Sequence, residues 1–355
     1  ASQCGDICKA VRLLDVKGNA SVKVVMGARI NGKNAVLHLV RPNAHRRGEN
    51  SFQLIDHALK YALNKGHDTL RVVIPMLERA RQTFKKEIDL RQERLSHKNM
   101  AAIYNSPKSY GNGYRFITPE LLQDFDSLAN NETTEAVISI EVKKFSELSE
   151  NEKAGFAQAV SEKEAELLLD SKAPTQDFDK DRHEGNFLLV TDPKLSAKMG
   201  VPLGKLILVL DPGQMSTISY EMRESVLKGL TLVAAVLFEA GDRAKVTAEI
   251  KNWIISDLIR TPQTVIPSKV LQIVENQLKA AQEQGKSNPG EALASILAYV
   301  EAEKMMIDES VWDYLTAFST NQTWGHYIQH SNPFSDKALQ RLQGIGECLE
   351  ILKSD

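Results

Sequence analysis

Between residues 20 and 42 two β-branched runs, ASVKVVMGARI and NAVLHLVRP, flank an Asn-Gly turn, a pattern that predicts an antiparallel hairpin. Pro42 and Asn43 stop the second strand. Phe52, Ile55, Leu59 and Leu63 then recur at helical spacing and predict a helix over about 50–64. TLRVVIPML fits either a strand or the start of a helix, and the charged text from about 77 to 102 reads as helix. AVISIEV (136–142) is a strand by composition, and it serves as the joint between the two parts of the chain. FLLV after Asn186 and KLILVL before Asp211 are apolar runs of strand length. Beyond about Ser216 the pattern is helical, broken at RTPQ, KSNPG and SNPF. The expected architecture is α+β and two-lobed, with a sheet-containing N-lobe over 1–147 and an α-rich C-lobe over 148–355.

Composition narrows the class without naming it. A chain of 355 residues has room for more than one mean domain, and a net charge of −2 argues against a polyanion or nucleic-acid binder working by bulk charge. Cys4, Cys8 and Cys348 make neither a disulfide framework nor a zinc site, which points to a reducing compartment, cytoplasm or organelle matrix. No apolar run approaches the roughly 18 residues of a membrane span, and peripheral membrane association stays open. The abrupt opening at ASQCGD leaves room for an upstream segment. Trp253, Trp312 and Trp324 read as core of the helical lobe, and His326 and His330 as a surface or core pair lacking a third ligand.

The chemistry-bearing stretch is DRHEGN (181–186), followed by a strand, a second strand, and Asp211 in LDPG. Phosphotransferases use an Asp, an Asn about five residues on, and a second Asp at a strand end to hold Mg²⁺ against nucleotide phosphates. Mg²⁺ takes hard oxygen ligands, which Asp181, Asn186 and Asp211 offer in that order. D-x-x-x-x-N and a strand ending in Asp-Pro-Gly also occur as ordinary turn punctuation. His183 reads as a structural hydrogen-bonder within the loop.

With those elements, AVLHLVRPN (35–43), EIDLRQE (87–93), LDPGQM (210–215) and SYEMRE (219–224) resemble the UbiB/ADCK family of atypical kinases. Its motifs read V-A-V-K-V-Q-R-P-G, E-x-D-x-x-x-E, D-P-H-P-G-N and L-D-F-G-M, with a helix starting near S-P-E-M-R-E. ASQCGDICKA (1–10), with Gly5 in it, resembles the family's alanine-rich phosphate loop, and SPKSY with VISIEVKKFSEL resembles its hinge approach. The resemblance implies that Glu87 pairs with the strand lysine or the metal, and that Glu93 is the second family acid. It further implies Asp181 as the catalytic-loop Asp and Asn186 and Asp211 as metal ligands.

This sequence departs from the pattern at His38, which falls where the family has its phosphate-pairing lysine, and at Pro212, which replaces the Phe of the metal motif. An imidazole is mostly neutral at pH 7 and does not simply replace an ammonium. Lys23, one strand over on the same hairpin, is the candidate substitute. The implied activity is an ATP- and Mg²⁺-dependent atypical kinase or ATPase acting on a small, lipid-like or quinone-like substrate. The alternatives are a pseudokinase that binds nucleotide or docks a protein partner on its helical lobe, and a phosphoinositide-type lipid kinase, whose D-R-H-x-x-N loop DRHEGN also resembles.

Overall fold

The computed structural model describes residues 11–19, 23–30, 33–121, 134–138, 140–211, 215–259, 265–285, 288–328 and 332–349. Gly5, Cys4, Cys8, the Asn31-Gly32 turn, Pro212, Gly213 and His330 lie outside them.

The expected hairpin is present. β1 (Val11–Asn19), β2 (Lys23–Ile30) and β3 (Lys33–Val40) run antiparallel, with Ile30 opposite Lys33 across the turn and Val25 opposite His38. Helix α1 (Ala44–Asn64) starts earlier than the periodicity suggests, directly after the Pro42 stop. The ambiguous TLRVVIPML resolves as a short 3-10 turn running into α2 (Val73–Ile88), and Asp89, in extended conformation, separates it from α3 (Leu90–Tyr104). The long charged helix is therefore two helices.

Next come β4 (Arg115–Ile117), β5 (Thr134–Ile138) and β6 (Val142–Lys144). AVISIEV is not one strand but parts of two: β5 closes the N-terminal sheet in the order β1-β2-β3-β5, while β6 joins another sheet. That second sheet is completed by β8 (Phe187–Val190) and β9 (Leu206–Val209) in the order β4-β9-β8-β6, with β4 parallel to β9.

The remaining elements are α4 (Glu150–Ala165), β7 (Thr175–Asp179), α5 (Pro193–Lys198), β10 (Met215–Ser219), α6 (Tyr220–Leu237) and α7 (Arg243–Trp253). They are followed by α8 (Pro267–Glu283), α9 (Pro289–Ala302), α10 (Glu309–Gln322) and α11 (Pro333–Cys348). β7 and β10 form a two-stranded ribbon, so a strand follows the metal motif before the helices begin. Several helices start on side-chain caps legible in sequence: Ser149 with Glu152, Asp242, Asn288-Pro289, Asp308 and Asn332-Pro333.

The helical lobe packs around Trp253, Val226, Leu230, Leu297, Tyr314 and Phe334, all buried. Gly229 lets the Trp253 ring lie directly on α6: a Cβ there would stand 2.1 Å from the indole. A second core joins α3, α4 and the second sheet through Met100, Tyr104, Phe116, Phe156, Phe187 and Trp324. Trp253 is core of the helical lobe as expected, and Trp324 is buried in the second core instead; Trp312 is half-buried against the helical core and lies by Arg79 of α2, with the guanidinium 4.0 Å from the ring centre. Arg79 also pairs with Glu301 on α9, so the N-terminal helices grip the helical lobe. No helix among the described residues is long and apolar enough to cross a membrane.

Candidate active site

Strand pairing explains how the N-terminal side of the site forms. His38 lies opposite Val25, and Lys23 stands two residues along β2, hence on the same face of the sheet. Both side chains converge on Glu93 of α3: Lys23 Nζ on Oε2, and His38 Nδ1 on Oε1 at 3.1 Å. The ion pair is buried, with Lys23 9% and Glu93 2% exposed. Burial alone would raise the Glu93 pKa, but the hydrogen bond from His38 and the charge of Lys23 outweigh it and hold the carboxyl down at about 2. The acid on Lys23 is thus Glu93, where the resemblance points first to Glu87. Glu87 sits half-buried at the end of α2, on the far side of the Asp89 break.

The C-terminal side is assembled by backbone hydrogen bonds around the loop 181–186. Asn186 Nδ2 donates to the Asp181 carbonyl at 2.5 Å. The peptide N–H of Leu210 donates to the Asn186 carbonyl (2.8 Å), and Arg182 Nη1 donates to the Leu210 carbonyl (2.8 Å). Asp211, the next residue, thus follows a peptide tied through its N–H to Asn186 and through its carbonyl to Arg182. Asp211 is exposed and adopts φ 50°, a left-handed backbone uncommon outside glycine and typical of strained functional turns. His183 is structural: its Nδ1 accepts from Gly185 N at 2.9 Å.

Two residues that sequence reasoning passed over hold this loop. Arg182 is fully buried between the rings of Tyr104 and Phe187, with its Nη2 2.6 Å from Asp179 Oδ2. Asp179 Oδ1 in turn accepts from the Asp181 N–H at 2.7 Å, and Trp324 Nε1 donates to the Arg182 carbonyl at 2.9 Å. Burial, only partly offset by Arg182, lifts Asp179 to about 6. The signal was available: Asp179 sits at the end of a strand two residues before Asp181. From the other side, Lys180 Nζ pairs with Asp313 of α10 at 2.6 Å, and Ser216 donates to the same carboxylate at 2.7 Å.

Helix α3 connects the two halves. Its N-terminal turn carries Glu93, and its C-terminal end carries Met100 and Tyr104, which pack on Arg182. Between them His97, 3% exposed, is pulled down to about 4 by burial, and its ionisation feels Glu93, His38, Asp211 and Lys23. Lys23, His38, Glu93 and Asp211 thus all act on the one buried imidazole of His97.

The donor set suits a phosphate-bound Mg²⁺ better than a free-standing metal centre. Asp211 and Asp181 offer carboxylate oxygens, and Asn186, its amide N–H engaged with Asp181, has its Oδ1 as a hard oxygen donor. Among the described residues no group of three or more His, Cys, Asp or Glu could hold a metal by itself. Mg²⁺ commonly uses one or two carboxylates and takes its other ligands from phosphates and water.

With this geometry in place, comparison with known proteins gives a family. Residues 18–246 match the ABC1 atypical kinase-like domain, well over half of the chain, and the protein belongs to that family. This is the UbiB/ADCK group that the motifs resemble. No curated protein matches the chain. A solved spectinomycin phosphotransferase, in complex with ADP and spectinomycin, is 11% identical over 88% of this chain and 93% of that one, with a TM-score of 0.21. At that score the likeness bears on neither substrate nor mechanism.

Proposed function

We propose that this member of the ABC1 atypical kinase-like family binds ATP with Mg²⁺ and transfers or hydrolyses its γ-phosphate, with a small or lipid-like acceptor. The observation that carries the reading is the convergence of Lys23 and His38 on Glu93, all three acting with Asp211 on the imidazole of His97. Lys23 takes the part of the phosphate-pairing cation, oriented by Glu93, and His38 supports that carboxylate from the other side. Asp211 and Asn186 would hold Mg²⁺, which neutralises phosphate charge when bound. Asp181 orients the attacking hydroxyl or water, and its own peptide is fixed by Asp179.

A pseudokinase remains the second reading, because Lys23 already has a partner in Glu93 and the family lysine position holds histidine. Calorimetric titration with ATP, with and without Mg²⁺, tests the first reading. Binding that requires Mg²⁺, together with phosphate release above background, supports it. Binding without release supports a nucleotide-binding pseudokinase, and no binding under either condition overturns the first reading.

A further inference from the structure

The helical lobe holds a half-open cavity of about 340 Å³ between α6, α10 and α11. Leu230, Ala234, Phe318, Ala338 and Leu342 are among its walls, and no charged side chain lines it among the described residues. Its polar groups are partly spent within the fold. The Thr231 hydroxyl donates to the Leu227 carbonyl at 2.9 Å, and Gln322 Oε1 accepts from Asn288 at 3.3 Å. A water needs two to four polar partners, so such a space hydrates poorly, while its size falls within the range of small-ligand sites. Two large apolar side chains lining it remain in solvent: Phe238 is 60% and Leu339 58% exposed.

We propose that this cavity binds the hydrocarbon chain of a single-chain amphiphile taken from solution, a fatty acid or fatty alcohol, with its head group left in water. The volume suits one chain rather than two, and the uncharged lining selects the chain, not the head group. One helix serves both this cavity and the loop 181–186. α10 presents Phe318 and Gln322 to the cavity, and Asp313 and Thr320 to Lys180, next to Asp181.

Displacement of the fluorescent fatty acid cis-parinarate from the full chain by laurate and by dodecanol tests the proposal without any nucleotide. Both should displace it, and the protein should not sediment with phosphatidylcholine vesicles. Ala234→Phe fills the space and Leu339→Asp charges its mouth, so each folded variant should bind laurate at least tenfold more weakly. Leu339 is exposed, so its variant keeps the test decisive if Ala234→Phe does not fold. Failure of laurate to displace the probe, wild-type affinity in either folded variant, or vesicle binding in place of laurate binding overturns the proposal.

Discussion

Lys23 of β2 and Glu93 of α3 form a buried ion pair, and His38 holds the second oxygen of the same carboxylate. Because Glu93 titrates near 2 rather than 4.5, its pairing contributes stability that is complete above the unfolded pKa and is lost as pH falls through that window. Breaking a buried pair from one side strands the other charge, at about 3–5 kcal/mol. Lys23→Met and Glu93→Gln should each therefore destabilise the protein by roughly that amount, while the double variant recovers most of it and turns over no ATP. A urea-unfolding double-mutant cycle measures this, and strictly additive losses would show that the pair is not coupled.

The sequence offered Lys23 as a candidate cation but not what it would cost to remove. Taken as the substitute for the family lysine, Lys23 invites a Lys23→Met change expected to abolish turnover while leaving the melting temperature nearly unchanged. Its burial against Glu93 changes that expectation, because β2–β3 register is local whereas the approach of α3 is a tertiary event. The loop 181–186 and the strand ending on Asp211 were legible because spacing and apolar runs are local signals. Arg182 was not, since nothing in DRHEGN says that its guanidinium will lie against the rings of Tyr104 and Phe187. The division of AVISIEV between two sheets was hidden for a like reason: β-branched composition marks a strand, not its partner.

Glu164 lies behind the same loop, fully buried, with Tyr104 donating to one oxygen and, among the described residues, no hydrogen-bond partner on the other. Burial, tempered by the charge of Arg182, pushes it up to about 7. A carboxyl raised in the folded state favours its neutral form, so its contribution is best at low pH and is lost as pH rises from about 4.5 through 7. Glu164→Gln should remove that loss and be more stable than wild type by roughly 1–3 kcal/mol at pH 8, with little difference near pH 5. Denaturant midpoints across that range check it, and a pH-independent difference contradicts it.

Arg79 and Lys86 both leave α2 to meet the helical lobe, yet only Arg79 is partly buried and stacked. Arg79→Ala should cost about 1–2 kcal/mol through lost stacking on Trp312 and a lost pair with Glu301. Lys86→Ala, losing an exposed pair with Glu309, should stay within about 0.5 kcal/mol. Thermal unfolding of the two variants side by side decides whether stacking or mere charge holds these helices in place, and equal losses would favour charge.

The central claim is that the loop 181–186, Asp211 and the Lys23–Glu93 pair form one Mg²⁺-nucleotide site. The most direct measurement is calorimetric titration of ATP with Mg²⁺ into wild type and Asp211→Ala. Asp211 is exposed at the end of β9, so its removal should leave the fold intact. If that carboxylate holds Mg²⁺ on the phosphates, its loss should weaken binding by roughly 100-fold or more, about 3 kcal/mol. Equal ATP affinity in the two proteins would contradict the account.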